Sequence, residues 1–144
     1  MADEALLRRM KVYQATALFS VLFALMGFSY NVWRMEVTEH NSNVRSAAFE
    51  MLLQLAELEQ LVFAAHYDQD SVAGNPRVGW VKVGLINDLG SSCSPEVAMA
   101  AVELKAVWTD HWQPLPEERQ SANAIVAAID ATRAEVQVVL TGLD

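Results

Sequence analysis

The sequence predicts an all-α protein in which one N-terminal transmembrane helix is followed by an antiparallel four-helix bundle. Two observations lead to this prediction. No charged residue occurs from Val12 to Trp33, and beyond that run the apolar residues recur at spacings of three and four, the period of a helix face. We therefore divide the chain into a short cytoplasmic N-terminus at residues 1–11, a membrane helix at residues 12–33 and an extracytoplasmic bundle domain at residues 34–144.

The direction of the membrane helix is predicted from its flanking charges. At about 1.5 Å per residue the uncharged run is long enough to span a hydrocarbon core of about 30 Å. Three basic residues precede it, Arg8, Arg9 and Lys11, whereas Arg34 on the other side is soon followed by Glu36. Basic residues favour the cytoplasmic side. We expect the inner (plasma) membrane of a bacterium, with the N-terminus cytoplasmic and the C-terminal domain periplasmic.

A cleaved signal peptide is the alternative to a permanent anchor. The triplet Gly27-Phe28-Ser29 has the small-x-small form that a signal peptidase accepts. The apolar run continues past this triplet to Trp33, which favours the anchor.

A stripe of small and polar residues marks one face of the membrane helix. Small residues let another membrane helix approach closely, so we expect this face to pack against a partner protein or a second copy. Since such residues are common in membrane helices, a chance distribution is the alternative. The stripe consists of Ala17, Ser20, Ala24, Gly27 and Asn31.

The first bundle helix is predicted from a seam of apolar residues spaced four and three apart. A second apolar line, Phe49, Leu52, Ala56 and Phe63, is expected to widen the buried face to that of a bundle helix. The polar segment 41–43 either caps this helix or continues it from the membrane helix. The seam consists of Val44, Ala48, Met51, Leu55, Leu58 and Val62.

The second helix is predicted from Pro76 to Leu89, with Gly90 ending it in the left-handed conformation. Gly79 and Gly84 inside it indicate either close backbone contact or limited stability. Its inward residues are expected to be Val78, Val81, Leu85 and Leu89.

Proline marks the start of the third and fourth helices. Ser94-Pro95-Glu96 opens the third, which runs to about Trp112, and Pro116-Glu117-Glu118 opens the fourth. Because the first and fourth helices are longer than the others, we expect part of a long helix, near the membrane, to lack an intramolecular partner. The inward faces are predicted to be Val97, Ala101, Leu104 and Trp108 in the third helix, and Ala122, Ile125, Ile129, Val136 and Leu140 in the fourth.

Charge and composition exclude several classes of function. From Arg34 onward there are seven Lys and Arg against sixteen Asp and Glu, a formal charge of −9, so we expect no nucleic acid partner. The single cysteine, Cys93, excludes an intrachain disulfide. His40, His66 and His111 have no metal-ligand spacing and no serine has a catalytic elbow around it. We expect no enzyme, no cofactor and no metal.

Tryptophan and arginine side chains are the candidates for a ligand pocket. Trp80 and Trp108 can line such a pocket, with Arg77 or Arg133 holding a small anion. The alternative, that the aromatic residues fill the core, is favoured by how commonly they do so.

The predicted architecture is similar, in outline, to the outer helical-bundle sensor domains of bacterial chemoreceptors, where a membrane helix runs into the first bundle helix. That resemblance implies ligand sensing, but the sequence shows no second membrane helix or cytoplasmic signalling part. We therefore expect a non-catalytic accessory or assembly subunit, which docks on itself or on a larger membrane complex through its membrane helix and first bundle helix. The alternative is a periplasmic ligand-sensing module that acts through a partner membrane protein.

Overall fold

The computed structural model describes residues 2–143, with side chains from residue 7, and within that range it contains four α-helices and no strand. The helices are α1 (Ala2–His66), α2 (Pro76–Gly90), α3 (Pro95–His111) and α4 (Arg119–Gly142). The predicted all-α class is confirmed. The chain divides into two compact units, Met1–His40 and Asn41–Asp144.

Helix α1 is continuous through residues 41–43. The sequence had allowed either a helix cap or a continuous helix at this segment. No glycine or proline occurs from Phe28 to Ala73, so no residue there breaks the backbone pattern. The hydroxyl of Ser46 donates to the carbonyl of Ser42 at 2.9 Å, within the helix. The backbone of residues 41–43 is therefore part of α1 and does not cap a separate helix.

In the first unit, α1 is apolar on all sides and has no buried face. Every side chain described from residue 7 to residue 40 is exposed. By length and composition this part of α1 can cross a membrane, and none of its apolar window is buried. This part of α1 is therefore a candidate membrane span by its length and composition.

In the second unit, residues 41–66 of α1 and the three shorter helices surround one core, and sequential neighbours are antiparallel. Two contacts along each pair of neighbouring helices, or in the residues directly after them, show the direction, because the residue number rises along one helix as it falls along the other. For α1 and α2 the contacts are Glu57 with Lys82 and Met51 with Cys93. For α2 and α3 they are Gly79 with Trp108 and Gly90 with Ala101. For α3 and α4 they are His111 with Ser121 and Ala100 with Thr132, and for α4 and α1 they are Arg133 with Glu59 and Leu143 with Arg45.

The core contains most of the apolar positions that the helical period indicates. The inward faces predicted for α3 and α4 are buried, except that Leu140 near the end of α4 is only half-buried. Leu115, in the connection between these two helices, adds to the core.

The inward face predicted for α2 is wrong. Val78, Val81 and Leu85 are exposed, and the buried residues are Gly79, Val83, Ile86 and Gly90. The indole of Trp108 fills the space that a side chain at position 79 would need. Helix α2 therefore approaches α3 through its glycines, which a search for large apolar residues overlooks.

Two predictions about helix ends are also wrong. Gly90 is the last residue of α2, and no described glycine has a positive φ. A Cβ atom there would lie 3.1 Å from Cβ of Ala101, so Gly90 serves close packing of α2 on α3. Helix α4 begins at Arg119, because the amide of Glu118 donates to the carbonyl of Pro114 in a preceding turn, at 2.8 Å.

Candidate interaction surfaces

The predicted small-residue stripe of the membrane helix lies entirely on exposed positions. Ala17, Ser20, Ala24, Gly27 and Asn31 are all exposed on α1, and a Cβ atom at Gly27 would meet nothing within 4 Å. The hydroxyl of Ser20 donates to the carbonyl of Thr16 at 2.9 Å. Ser20 therefore satisfies its donor within its own helix, and the stripe remains a prediction.

The six seam residues of α1 face the other three helices. Val44 is 4% exposed, and Ala48, Met51, Leu55, Leu58 and Val62 are fully buried. Beside Met51, the thiol of Cys93 contacts the thioether sulfur at 3.8 Å. Burial raises the pKa of the Cys93 thiol, so at neutral pH this cysteine is an unreactive packing residue.

The second apolar line predicted for α1 does not enter the core. Leu52 is half-buried, whereas Phe49, Ala56 and Phe63 are exposed. Leu53, and Tyr67 directly after the helix, are exposed with them. We call Phe49, Leu53, Ala56, Phe63 and Tyr67 the outer stripe. Its spacing of four, three, seven and four places these residues on one face of α1.

The outer stripe is unusual for the solvent side of a bundle helix. Phe49 is 57%, Leu53 52%, Phe63 39% and Tyr67 56% exposed. The rings of Phe63 and Tyr67 lie together, with centroids 5.9 Å apart. An outward helix face is normally polar, so this exposed apolar cluster is a candidate binding surface.

Two ion pairs flank the outer stripe. On one side Lys82 of α2 pairs with Glu57, and on the other Arg133 of α4 pairs with Glu59 through Nη2 and Oε2 at 2.6 Å. Both acids therefore have their charge compensated within the same chain. The same contacts join α2 and α4 to α1.

The two predicted pocket tryptophans meet, together with Trp112. The ring of Trp80 stands edge-on to Trp108 and to Trp112, with centroids 6.4 Å and 6.3 Å apart. Trp108 is fully buried and packs on Gly79. Its indole N–H has no hydrogen-bond partner within the described part of the chain. These contacts are those of core aromatic residues.

The predicted pocket arginines have different surroundings. Arg133 bonds Glu59 and, through Nη1, Asp130 at 2.5 Å. Arg77 is exposed in the first turn of α2, three residues before Trp80. The pocket remains a prediction.

The grooves of the bundle domain lie in other places. One, of 320 Å³, separates α3 from α4 and is lined mainly by alanines, including Ala124, Ala127 and Ala131. Another, of 470 Å³, lies between α1 and α2 beside Lys82 and Glu57. Both grooves are shallow. The first is lined mainly by apolar side chains, and in the second Lys82 and Glu57 already pair with each other, so neither resembles a typical small-molecule site.

The histidines described in the bundle make structural hydrogen bonds. Nδ1 of His66 lies 3.0 Å from the carbonyl of Leu115. Nδ1 of His111 lies 2.9 Å from the hydroxyl of Ser121, which donates to Glu118 at 2.7 Å. Here the serine stands between the histidine and the acid, so the histidine cannot activate it as in a triad. Residues 7–143 contain no group of three or more His, Cys, Asp or Glu side chains placed to hold a metal ion.

Comparisons of the chain with protein-family models, with curated proteins and with solved structures find no match.

Proposed function

We propose that this chain is a non-catalytic, single-pass membrane accessory or assembly subunit. Residues 12–33 cross the bacterial inner membrane with the N-terminus in the cytoplasm, and the helical bundle stands in the periplasm. The subunit docks on a second copy or on a larger membrane complex through α1.

The exposure of the first unit is the observation that supports this proposal. Thirteen large apolar side chains between Val12 and Trp33 are exposed. Removing each from water contributes about 1.5–3 kcal/mol, so the transfer to lipid contributes on the order of 20 kcal/mol. That exceeds the whole stability of an ordinary domain, about 5–15 kcal/mol. A lipid environment accommodates such a helix and water does not.

Docking is supported by the outer stripe. A bundle that functioned alone would not maintain aromatic side chains on the solvent face of α1, because they promote association. The ligand-sensing alternative has less support, since Arg133 is already paired with Glu59 and Trp108 is fully buried in the core.

Topology is tested with single cysteines in a Cys93→Ser background. Leu7→Cys and Ser71→Cys both place the thiol at exposed positions. A membrane-impermeant maleimide added to intact spheroplasts should label Ser71→Cys, and should label Leu7→Cys only after lysis. The reverse labelling pattern contradicts the proposed orientation. An intact mass that corresponds to a chain beginning near Tyr30 shows that a signal peptide has been cleaved.

Docking is tested by mild crosslinking in native membranes followed by mass spectrometry. We expect crosslinks from α1 to a second copy or to another membrane protein. A monomer in detergent that crosslinks to nothing contradicts the docking proposal.

A further inference from the structure

We propose that the outer stripe of α1 binds the outer stripe of a second copy of this chain, in a parallel, in-register two-stranded coil. The inference rests on the membrane anchoring proposed above. Because α1 is continuous from Ala2 to His66, two chains inserted in the same direction favour a parallel pair of α1 helices over an antiparallel one.

The spacing of the outer stripe is that of a coiled-coil seam. With Gln60 included, the positions 49, 53, 56, 60, 63 and 67 alternate spacings of four and three, and this alternation is the a and d pattern of a two-stranded coil. The buried seam from Val44 to Val62 follows the same spacing in a different phase. Helix α1 thus has one face for its own bundle and another for a second helix.

Gln60 favours a second copy over an unrelated partner. It is exposed at the centre of the stripe, between Ala56 and Phe63. An amide both donates and accepts hydrogen bonds. In a parallel, in-register pair the Gln60 amide of one chain therefore bonds the Gln60 amide of the other. A single polar residue in an apolar seam fixes the register of a coil in this way. A purely apolar partner would bury that amide unsatisfied.

The charges beside the stripe also fit a second copy. In a parallel coil, each residue that precedes an a position faces the residue five places further along the other chain. Continued three residues back from Phe49, the alternation makes Ser46 an a position, so the preceding Arg45 faces Glu50 of the second copy, twice in the symmetric pair. Arg45 also has contacts within its own chain, among them the carbonyl of Leu143 at 3.3 Å, and a guanidinium can bond several acceptors at once.

The acidic domains can approach each other along this face. Glu57 and Glu59, which flank the stripe, are compensated by Lys82 and Arg133 of the same chain. The formal charge of −9 from residue 34 onward therefore opposes dimerisation less here than on the uncompensated surface. The shared membrane adds a high effective concentration, so a short seam is enough.

The test uses the full chain in bacterial membranes, in the Cys93→Ser background. Ala56→Cys and Phe63→Cys each place a thiol on the stripe, and Ala134→Cys places one at an exposed alanine of α4. Under mild oxidation we expect both stripe variants to migrate mainly as disulfide-linked dimers and Ala134→Cys to remain monomeric. Dimers from Ala56→Cys alone indicate an antiparallel pair and overturn the parallel register.

Charge reversal provides a second readout that loss of folding cannot imitate. Arg45→Glu and Glu50→Arg should each lower the dimer yield of Ala56→Cys, and the double reversal should restore it. Equal yields from Ala56→Cys and Ala134→Cys, or crosslinks from Ala56→Cys only to a different protein, overturn the second-copy inference. If impermeant labelling of Ser71→Cys still shows the periplasmic bundle, the proposed function survives that failure. If that labelling fails, both proposals fall.

Discussion

The two parts of α1, residues 7–40 and 41–66, have a similar share of apolar residues but arrange them differently around the helix. From residue 7 to residue 40 the apolar side chains surround the helix and every one is exposed. From residue 41 to residue 66 they form two separate lines, one buried in the bundle and one exposed as the outer stripe. The first pattern fits the apolar environment that we propose for this part, whereas the second fits packing against partner helices. Distribution around the helix, rather than the amount of apolar surface, separates these parts.

The largest expected effect comes from placing charge in each part. Leu22 and Leu53 are both 52% exposed. Introducing Leu22→Arg with Leu25→Arg should disfavour membrane insertion by about 6 kcal/mol, and the protein should leave the membrane on alkaline carbonate extraction. Leu53→Arg should stay in the membrane fraction. Identical fractionation of the two variants would contradict the distinction between the two parts.

A matched pair of methionines tests which part belongs to the bundle core. Met51 is fully buried in the seam and Met26 is exposed in the first part. We expect Met51→Ala to lower the free energy of unfolding of the bundle by about 2–5 kcal/mol, and Met26→Ala to leave it unchanged. Urea denaturation in detergent, followed by tryptophan fluorescence, measures both values. An equal loss from both substitutions is the outcome that the structure does not allow.

Two glycines of α2 test how closely this helix packs on α3 within the bundle. A Cβ atom at Gly79 overlaps the Trp108 ring, whereas one at Gly84 meets nothing within 4 Å. Gly79→Ala should destabilise the bundle by about 1–3 kcal/mol through overpacking. Gly84→Ala should stabilise it by up to about 1 kcal/mol through helix propensity. Thermal unfolding of both variants gives the signs, and a stabilising Gly79→Ala would contradict the contact.

The smallest effects belong to the start of α3. Ser94 caps this helix by accepting from the amide of Val97 at 3.2 Å, so Ser94→Ala should lower stability by about 1 kcal/mol. The Glu96 backbone amide and the Ser94 hydroxyl lower the pKa of Glu96 below its ordinary value of 4.5.

A lowered carboxyl pKa stabilises the fold above the ordinary value, and this contribution is lost as pH falls through the folded-state value. Thermal stability measured on descent from pH 7 should therefore decline below pH 4.5. Glu96→Gln should make that decline shallower, and an unchanged pH profile would contradict the assignment.

The parts of the fold that rest on local periodicity could be predicted from the sequence. Large apolar residues at helical spacing indicated the buried faces of α3 and α4. Helix α2 could not be predicted in this way, because its inward face contains glycines whose partner, the Trp108 indole, lies 29 residues away from Gly79. Such a contact depends on how two helices pack, which the spacing within one helix does not contain.

The outer stripe shows a second limit. Leu55 and Leu53 both belong to apolar lines with helical spacing, and only the positions of α2 and α4 decide which line is covered. The same holds for the predicted pocket. Arg133 pairs with Glu59 on another helix of the bundle, and a pairing between residues so far apart in sequence cannot be predicted from local spacing.

The four tryptophans give each part of the protein its own spectroscopic reporter. Trp80, Trp108 and Trp112 form one edge-to-face cluster in the bundle, where the buried indole of Trp108 senses unfolding. Trp33 is exposed in the first part of α1. If residues 12–33 lie in lipid as proposed, quenchers carried on lipid chains should quench Trp33 and spare the cluster, whereas aqueous iodide should quench the buried Trp108 only after the bundle unfolds. Unlabelled protein can thus report membrane depth and domain unfolding in the same cuvette.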